Sequence, residues 1–353
     1  MKNYDLIFIT NVPAFYKVNL FNSLARQINI KVIFISKKSS MRESDFYNYD
    51  CQFDHAFIIE ENFEERDKLT VLYAVYCELK KSHYQRLVFP GWEIKELFFL
   101  SLLSPKRKNA VVIESSILET RMSGMAGRLK KLFLTRMGAA YPSGILQKEI
   151  LAHCGFSGKI YITHGVGVAN PPRERPQNVH RTVSQSHEGL KYLYVGRLAP
   201  EKNLSLLIDV FNETRETLFI VGSGPDSDVL QKKAKNNITF LGYVNNRELE
   251  TRYRQCDVFI LPSLAEPWGL VIEEALSLGL PVIISDRVGC KEDLVKENGI
   301  VFEATSKDSL KKALFKMKLE YNSFYNAAQG YDLEGMYEKQ INSYIISVAK
   351  NEI

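Results

Sequence analysis

From Lys191 onward the chain alternates short apolar runs, rich in β-branched and aromatic residues, with amphipathic stretches of helical length. The runs are YLYVGRL (192–198), TLFIVGSG (217–224), ITFLGYV (238–244), VFILPS (258–263), PVIISD (281–286) and GIVFEA (299–304). Helix-like segments start near Asn203, Asp226, Asn246, Trp268 and Lys291. Strands alternating with helices of this length predict βαβ units and a parallel sheet covered on both faces. The first half repeats the pattern less regularly, in DLIFIT (5–10), KVIFIS (31–36), RLVFPG (86–91), AVVIES (110–115) and KIYITHG (159–165). Between the halves, residues 170–189 are polar and proline-bearing and read as a linker or surface loop. The expected fold is α/β, with two domains and a cleft between them. Ligands then belong at the carboxyl ends of the strands.

A length of 353 residues agrees with two domains that each bury a core. Hydrophobic residues at 45% and charged residues at 25% describe an ordinary globular chain. The net charge of +5 permits an anionic partner without calling for nucleic acid. The five cysteines form no C-x-x-C pair, which argues against a disulfide framework or a structural zinc and fits a reducing compartment. No histidine stands at metal-ligand spacing from another, including His164, His180 and His187. MKNYDLIFIT reads as a first strand and not as a signal peptide. The longest apolar stretch, LFFLSLL (97–103), is too short to cross a bilayer. A cytoplasmic protein is expected.

Three stretches of the second half carry candidate chemistry. In VGRLAPEKN (195–203), Arg197 and Lys202 bracket a strand-to-helix turn. They form either a solvated surface pair or, with the free helix amides, a diphosphate cradle. In IVGSGPDSD (220–228), Gly222 and Gly224 follow a strand and precede a helix, as in a phosphate loop. The stretch completes neither G-x-G-x-x-G nor a P-loop, and Asp226 and Asp228 suit a helix start as well as a metal-diphosphate. In EPWGLVIEEALSLGLPV (266–282), Pro267 suits the first helical position, which makes Glu266 a cap-position acid and Trp268-Gly269-Leu270 the first turn. Gly269 allows a ligand close to the backbone, and Glu274 lies two turns in, able to accept from vicinal hydroxyls. An acidic helix start with one solvated glutamate is the plainer account of the same residues.

Taken together, VGRLAPEKN, VGSGP, FLGYV, LPSLAEPWGLVIEEALSLGLPVI and SDRVG resemble, in order and spacing over about residues 191–304, the family 4 retaining glycosyltransferases of the two-Rossmann (GT-B) type. The resemblance implies two Rossmann-like domains: an acceptor domain over 1–169, the linker 170–189, and a nucleotide-sugar donor domain over 190–336. It also implies that the terminal amphipathic helix within 337–353 packs back on the first domain. By the same resemblance Arg197 and Lys202 hold the donor's diphosphate and Glu274 the nucleotide ribose. Glu266 contacts the transferred sugar, with the amides of Trp268, Gly269 and Leu270 near the sugar and β-phosphate. Gly222 and Gly224 line the nucleotide, and Tyr243 and Val244 lie beside the base. Arg197, Lys202 and Glu266 are the catalytic candidates. No metal and no other cofactor is implied, and the reaction is a same-face transfer of a sugar from a nucleoside diphosphate, UDP before GDP, to a hydroxyl.

The first half resembles the family loosely. TNVPAFYKVNLF (10–21) is similar to the loop after the first strand of bacterial surface-polysaccharide enzymes, so Asn11, Tyr16 and Lys17 are acceptor-side candidates. Where many members carry a histidine, AVVIESS offers Glu114; Ser116 and Glu119 also fit a capping box. The implied acceptor is a glycan or lipid-linked glycan of a bacterial envelope pathway. In GRLKKLFLTRM (127–137), Leu129, Leu132, Phe133 and Met137 share one face, with basic residues mostly elsewhere. This is either a helix packed on its sheet or a peripheral contact with an anionic membrane on its cytoplasmic side. Two other readings stay open: a two-domain NAD-dependent oxidoreductase, against which the incomplete glycine fingerprint speaks, and a non-catalytic protein that binds nucleotide sugars.

Overall fold

The computed structural model describes residues 1–170 and 189–349, except for the side chain of Arg247. The expected linker lies almost wholly outside the described residues, as do His180 and His187. The chain divides into two compact units, one formed by the first 170 residues with the segment from Glu334 onward, the other ending at Leu333.

The amino-terminal unit holds seven parallel strands: β1 Lys2–Thr10, β2 Ile30–Lys38, β3 Asp54–Asn62, β4 Ser82–Phe89, β5 Asn109–Ile113, β6 Ala139–Pro142 and β7 Lys159–Ile160. Their order is β3-β2-β1-β4-β5-β6-β7. The other unit holds six: β8 Lys191–Val195, β9 Thr217–Val221, β10 Ile238–Gly242, β11 Val258–Leu261, β12 Val282–Ser285 and β13 Gly299–Phe302, ordered β10-β9-β8-β11-β12-β13. Both sheets reverse direction once, beside their own first strand. That is the doubly wound Rossmann order, whose open crevice lies at the carboxyl ends of the two strands flanking the reversal. Here these are β1 and β4 in one unit, β8 and β11 in the other.

Helices Lys68–Lys80, Leu97–Leu103, Gly124–Thr135 and Ile145–His153 cover one face of the amino-terminal sheet, packing Val71, Leu97, Phe133 and Ile150 against Ile7, Ile33 and Phe89. The opposite face takes helix Phe15–Ala25 and, from the far end of the sequence, helix Leu333–Val348. Tyr344 of that last helix is 3% exposed and its ring meets Phe8 at 5.5 Å and Tyr141 at 4.6 Å. Ser347 is hydrogen-bonded to the Tyr141 hydroxyl at 2.5 Å, Arg86 donates to its carbonyl, and Ser343 donates to the Ile162 carbonyl.

The sequence pattern differs from the structure at a few elements. β3, DHAFIIEEN, is an edge strand with mostly half-exposed side chains, so no alternation marks it. β6 has four residues, AAYP, too few to register as a run. Only Lys159–Ile160 of the KIYITHG run forms a ladder, although Tyr161 and Thr163 still donate to Ala140 and Pro142 carbonyls. The basic helix does not keep its expected face: Phe133 and Met137 are buried, while Leu129 and Leu132 are exposed at 54% and 50%. Ser116 starts no helix; its amide meets the Glu119 carboxylate at 3.3 Å within a turn, and its hydroxyl has no partner.

Because Tyr344 is packed among aromatic residues of the first sheet, Tyr344→Ala should destabilise the amino-terminal unit by about 3–5 kcal/mol. Urea unfolding followed by hydrogen exchange of β1 and β6 amides checks where the loss falls.

Candidate functional site

Four loops of the carboxy-terminal unit interlock at the carboxyl end of its sheet. The loop after β8 runs from Gly196 through a 3₁₀ turn, Pro200–Lys202, to Asn203, whose φ of +56° is left-handed. Asparagine tolerates that conformation, and its amide donates to the Pro262 carbonyl at 3.2 Å and the Ala304 carbonyl at 2.8 Å. One side chain thus ties together the loops after β8, β11 and β13. Leu264 adds a backbone bond to the Glu201 carbonyl. The loop after β9 lies against the first: a Cβ on Gly222 would stand 1.9 Å from the Gly196 oxygen, and one on Gly224 2.2 Å from the Leu198 oxygen. These two glycines therefore have a packing reason, independent of any ligand, to lack side chains.

Lys202 and Glu266 meet in this crevice, Nζ to Oε2 at 2.6 Å, with side chains only 17% and 15% exposed. Arg197 stands on the same loop as Lys202, exposed, with no side-chain ion pair among the described residues. Its carbonyl accepts from the buried Tyr194 hydroxyl at 2.9 Å. That phenol is pushed far above its ordinary pKa by burial and by the nearby Glu266 and Glu201 carboxylates.

The 266–282 stretch folds differently from its pattern. Helix Leu270–Ser277 begins after Gly269, at φ +105°, so Pro267 is not its first residue and Glu266 is not its cap. Instead the Glu266 segment pairs with Val288 in a parallel bridge, and its carbonyl and that of Trp268 accept from the Gly289 and Cys290 amides. Trp268 is not an open first-turn residue: its ring is 2% exposed and its indole N–H donates to Glu273 at 2.5 Å. The amides of Gly269 and Leu270 stay at the helix entrance, where donors are intrinsically open. Glu274 is partly buried and accepts from the Tyr253 hydroxyl at 3.1 Å; burial outweighs that bond and pushes its carboxyl up to about 7. Tyr243 and Val244 follow β10 at the sheet edge, away from the β8–β11 reversal.

Among the candidates of this unit, Lys202 and Glu266 touch, whereas Glu274 bonds to Tyr253 and not to them. Asn203, Tyr194, Tyr253 and Glu273 were not singled out by pattern. Asn203 entered only as the start of a helix-like segment, and the two tyrosines sit where apolar core residues belong. Glu273 is adjacent to Glu274, and nothing in its spacing marks it as the buried one of the two.

In the amino-terminal unit, Lys17 from the first turn of helix Phe15–Ala25 pairs with Glu114, just past β5, at 2.9 Å. Burial lowers the Lys17 pKa, but Glu114 and the Tyr16 phenol more than compensate and leave it raised. Tyr16 packs its ring on Phe15 and Phe46, and its carbonyl accepts from Val168. Asn11 does not join the pair: its side-chain oxygen turns back to the Val12 amide at 2.9 Å. No group of three or more His, Cys, Asp or Glu among the described residues is arranged to hold a metal ion, and no helix among them is long and apolar enough to cross a membrane.

Residues 177–329 match the family described as glycosyl transferases group 1. The chain is 28% identical over 193 residues to an uncharacterized glycosyltransferase of Methanocaldococcus jannaschii, covering 50% of each. It is 37% identical over 121 residues to the O-antigen biosynthesis glycosyltransferase WbnH of Escherichia coli, covering 33% of this chain and 35% of that one. The matched stretches therefore span half or less of these relatives' own length. The solved structure of Anabaena HepE in complex with UDP and glucose superposes with a TM-score of 0.70 at 15% identity, covering 98% of this chain and all of the other. The fold is that of the GT-B proteins, two Rossmann-like domains.

Glu273 is fully buried, and burial, with Glu274 adding to it, raises its carboxyl to about 8 from the ordinary value of 4.5. The folded chain then holds a proton there that the unfolded chain has already released, so stability falls as pH rises between these values. Glu273→Gln should flatten that slope, as read from urea midpoints at intervals across the window.

Proposed function

We propose that the chain is a retaining glycosyltransferase. It moves a sugar from a nucleoside diphosphate, UDP before GDP, to a hydroxyl of a glycan or lipid-linked glycan in bacterial envelope polysaccharide synthesis. The observation that carries this is the Lys202–Glu266 pair, nearly buried where the carboxy-terminal sheet reverses direction. A buried ion pair adds little to stability, so its place in an open crevice argues for a ligand. The match of residues 177–329 and the HepE complex support a nucleotide-sugar donor; WbnH, an O-antigen enzyme, supports a polysaccharide acceptor.

In the reaction, the anomeric carbon–oxygen bond to the diphosphate breaks and a bond to the acceptor oxygen forms on the same face. The acceptor's proton passes to the departing phosphate oxygen. Charge builds on the diphosphate, and Lys202, Arg197 and the Gly269–Leu270 amides neutralise it without a metal. Glu266, oriented by Lys202, keeps an oxygen for the sugar hydroxyls, and Glu274 accepts from the ribose. Lys17 and Glu114 serve the acceptor side, which attaches to the inner face of the cytoplasmic membrane through the region of 127–137.

Lys202→Ala should lower kcat/KM by about 10²–10³-fold, the effect of removing one donor to a developing anion, measured below the variant's melting temperature, which the unpaired Glu266 also lowers. In a melting panel of UDP, GDP, ADP and NAD, UDP should stabilise most, by about 2.7 kcal/mol at a hundred times its Kd. Stabilisation by NAD alone would favour the oxidoreductase, and binding with neither transfer nor hydrolysis a non-catalytic protein. UDP affinity should also rise with pH through about 7, as Glu274 ionises. Titration calorimetry on Glu274→Gln should show that dependence lost.

A further inference from the structure

The helical layer over the amino-terminal sheet is apolar on its outer side, where such layers normally meet water. Helix Leu97–Leu103 exposes Phe99, Leu102 and Leu103 at 59%, 47% and 67%; helix Gly124–Thr135 exposes Met125, Leu129 and Leu132 at 78%, 54% and 50%. The two helices are consecutive crossovers over adjacent strands, β4 to β5 and β5 to β6. Beneath the surface Phe98 and Phe133 rings lie 6.1 Å apart. Asn109 joins the helix ends, donating to the Ser101 and Arg136 carbonyls at 3.0 Å each. The two helices therefore lie side by side with their exposed apolar residues on one layer, and apolar patches of this kind mark interaction sites where singly scattered residues do not.

Charge says what covers the patch. From Leu97 to Met137 there are eight lysines and arginines against two glutamates, an excess of six where the whole chain carries +5. Glu114, one of the two, is already paired with Lys17. Lys106, Arg107, Arg121, Arg128 and Lys131 are exposed around the apolar residues. We infer that this two-helix face docks on an anionic lipid surface, its six apolar side chains entering the headgroup region and the basic rim holding acidic lipids. A second copy of the chain would bring the same positive excess against itself. The inference deepens the membrane contact proposed for 127–137, drops Phe133 and Met137 from it, and adds Phe99, Leu102 and Leu103. It uses no residue of the donor site, so its failure and that of the transferase reading are distinguishable.

The test is flotation of the full chain with phosphatidylcholine vesicles, with and without phosphatidylglycerol, at low and high salt. Two variants accompany it, Leu129→Ser/Leu132→Ser and Arg128→Glu/Lys131→Glu, all at exposed positions and checked for an unchanged melting temperature. Binding should require phosphatidylglycerol, weaken with salt, and fall in both variants. The charge variant should lose at least about 25-fold, since each cation near such a surface contributes about fivefold. Equal recovery on phosphatidylcholine alone, or unaltered binding by either variant, overturns the inference. So does a wild-type dimer in sedimentation that the serine variant dissolves.

Discussion

Lys202 and Glu266 are 64 residues apart and largely withdrawn from water. Two charges in such surroundings lose hydration that only close, well-oriented pairing offsets. Everything around them serves that geometry. The parallel sheet delivers both loops to its carboxyl edge, and Asn203 clasps those loops with one amide. Glycines at 222 and 224 let a neighbouring backbone pass underneath. Remove the pairing and either partner becomes an uncompensated buried charge.

The amino-terminal unit repeats this device with different parts. Lys17 stands seven residues past the end of β1, as Lys202 stands seven past the end of β8. Each finds a glutamate just after a later strand of its own sheet. A lysine at a helix start is opposed by the helix dipole. In both units a carboxylate from a distant part of the sequence counters it. The two crevices thus share a chemistry although little in their local sequences is alike.

Period and composition carried the fold a long way. Eleven of the thirteen strands appear as apolar runs, most of them because they are buried on both faces, while β7, β10 and β13 are apolar in sequence although partly exposed. β3 and β6 escaped because one is half-exposed and the other four residues long. At the site, Lys202, Glu266 and Glu274 were legible as candidates, but spacing alone left each of them open to a solvated-surface reading. The start of the 270–277 helix was not: Pro267 mimics a first helical residue, but the bridge to Val288 holds that segment extended. Glu273 and Tyr253 stayed invisible because their roles arise from burial and from partners far along the chain, which periodicity does not encode.

The path of the backbone has a practical consequence. The second unit is an insertion: the chain leaves the first after Asn170 and returns to it at Glu334. A gene fragment for the inserted unit can be cut as one continuous piece. The host unit cannot, because its last helix is encoded beyond the guest. Premature stop codons near the 3′ end would therefore injure the domain translated first, leaving the later-made one structurally whole.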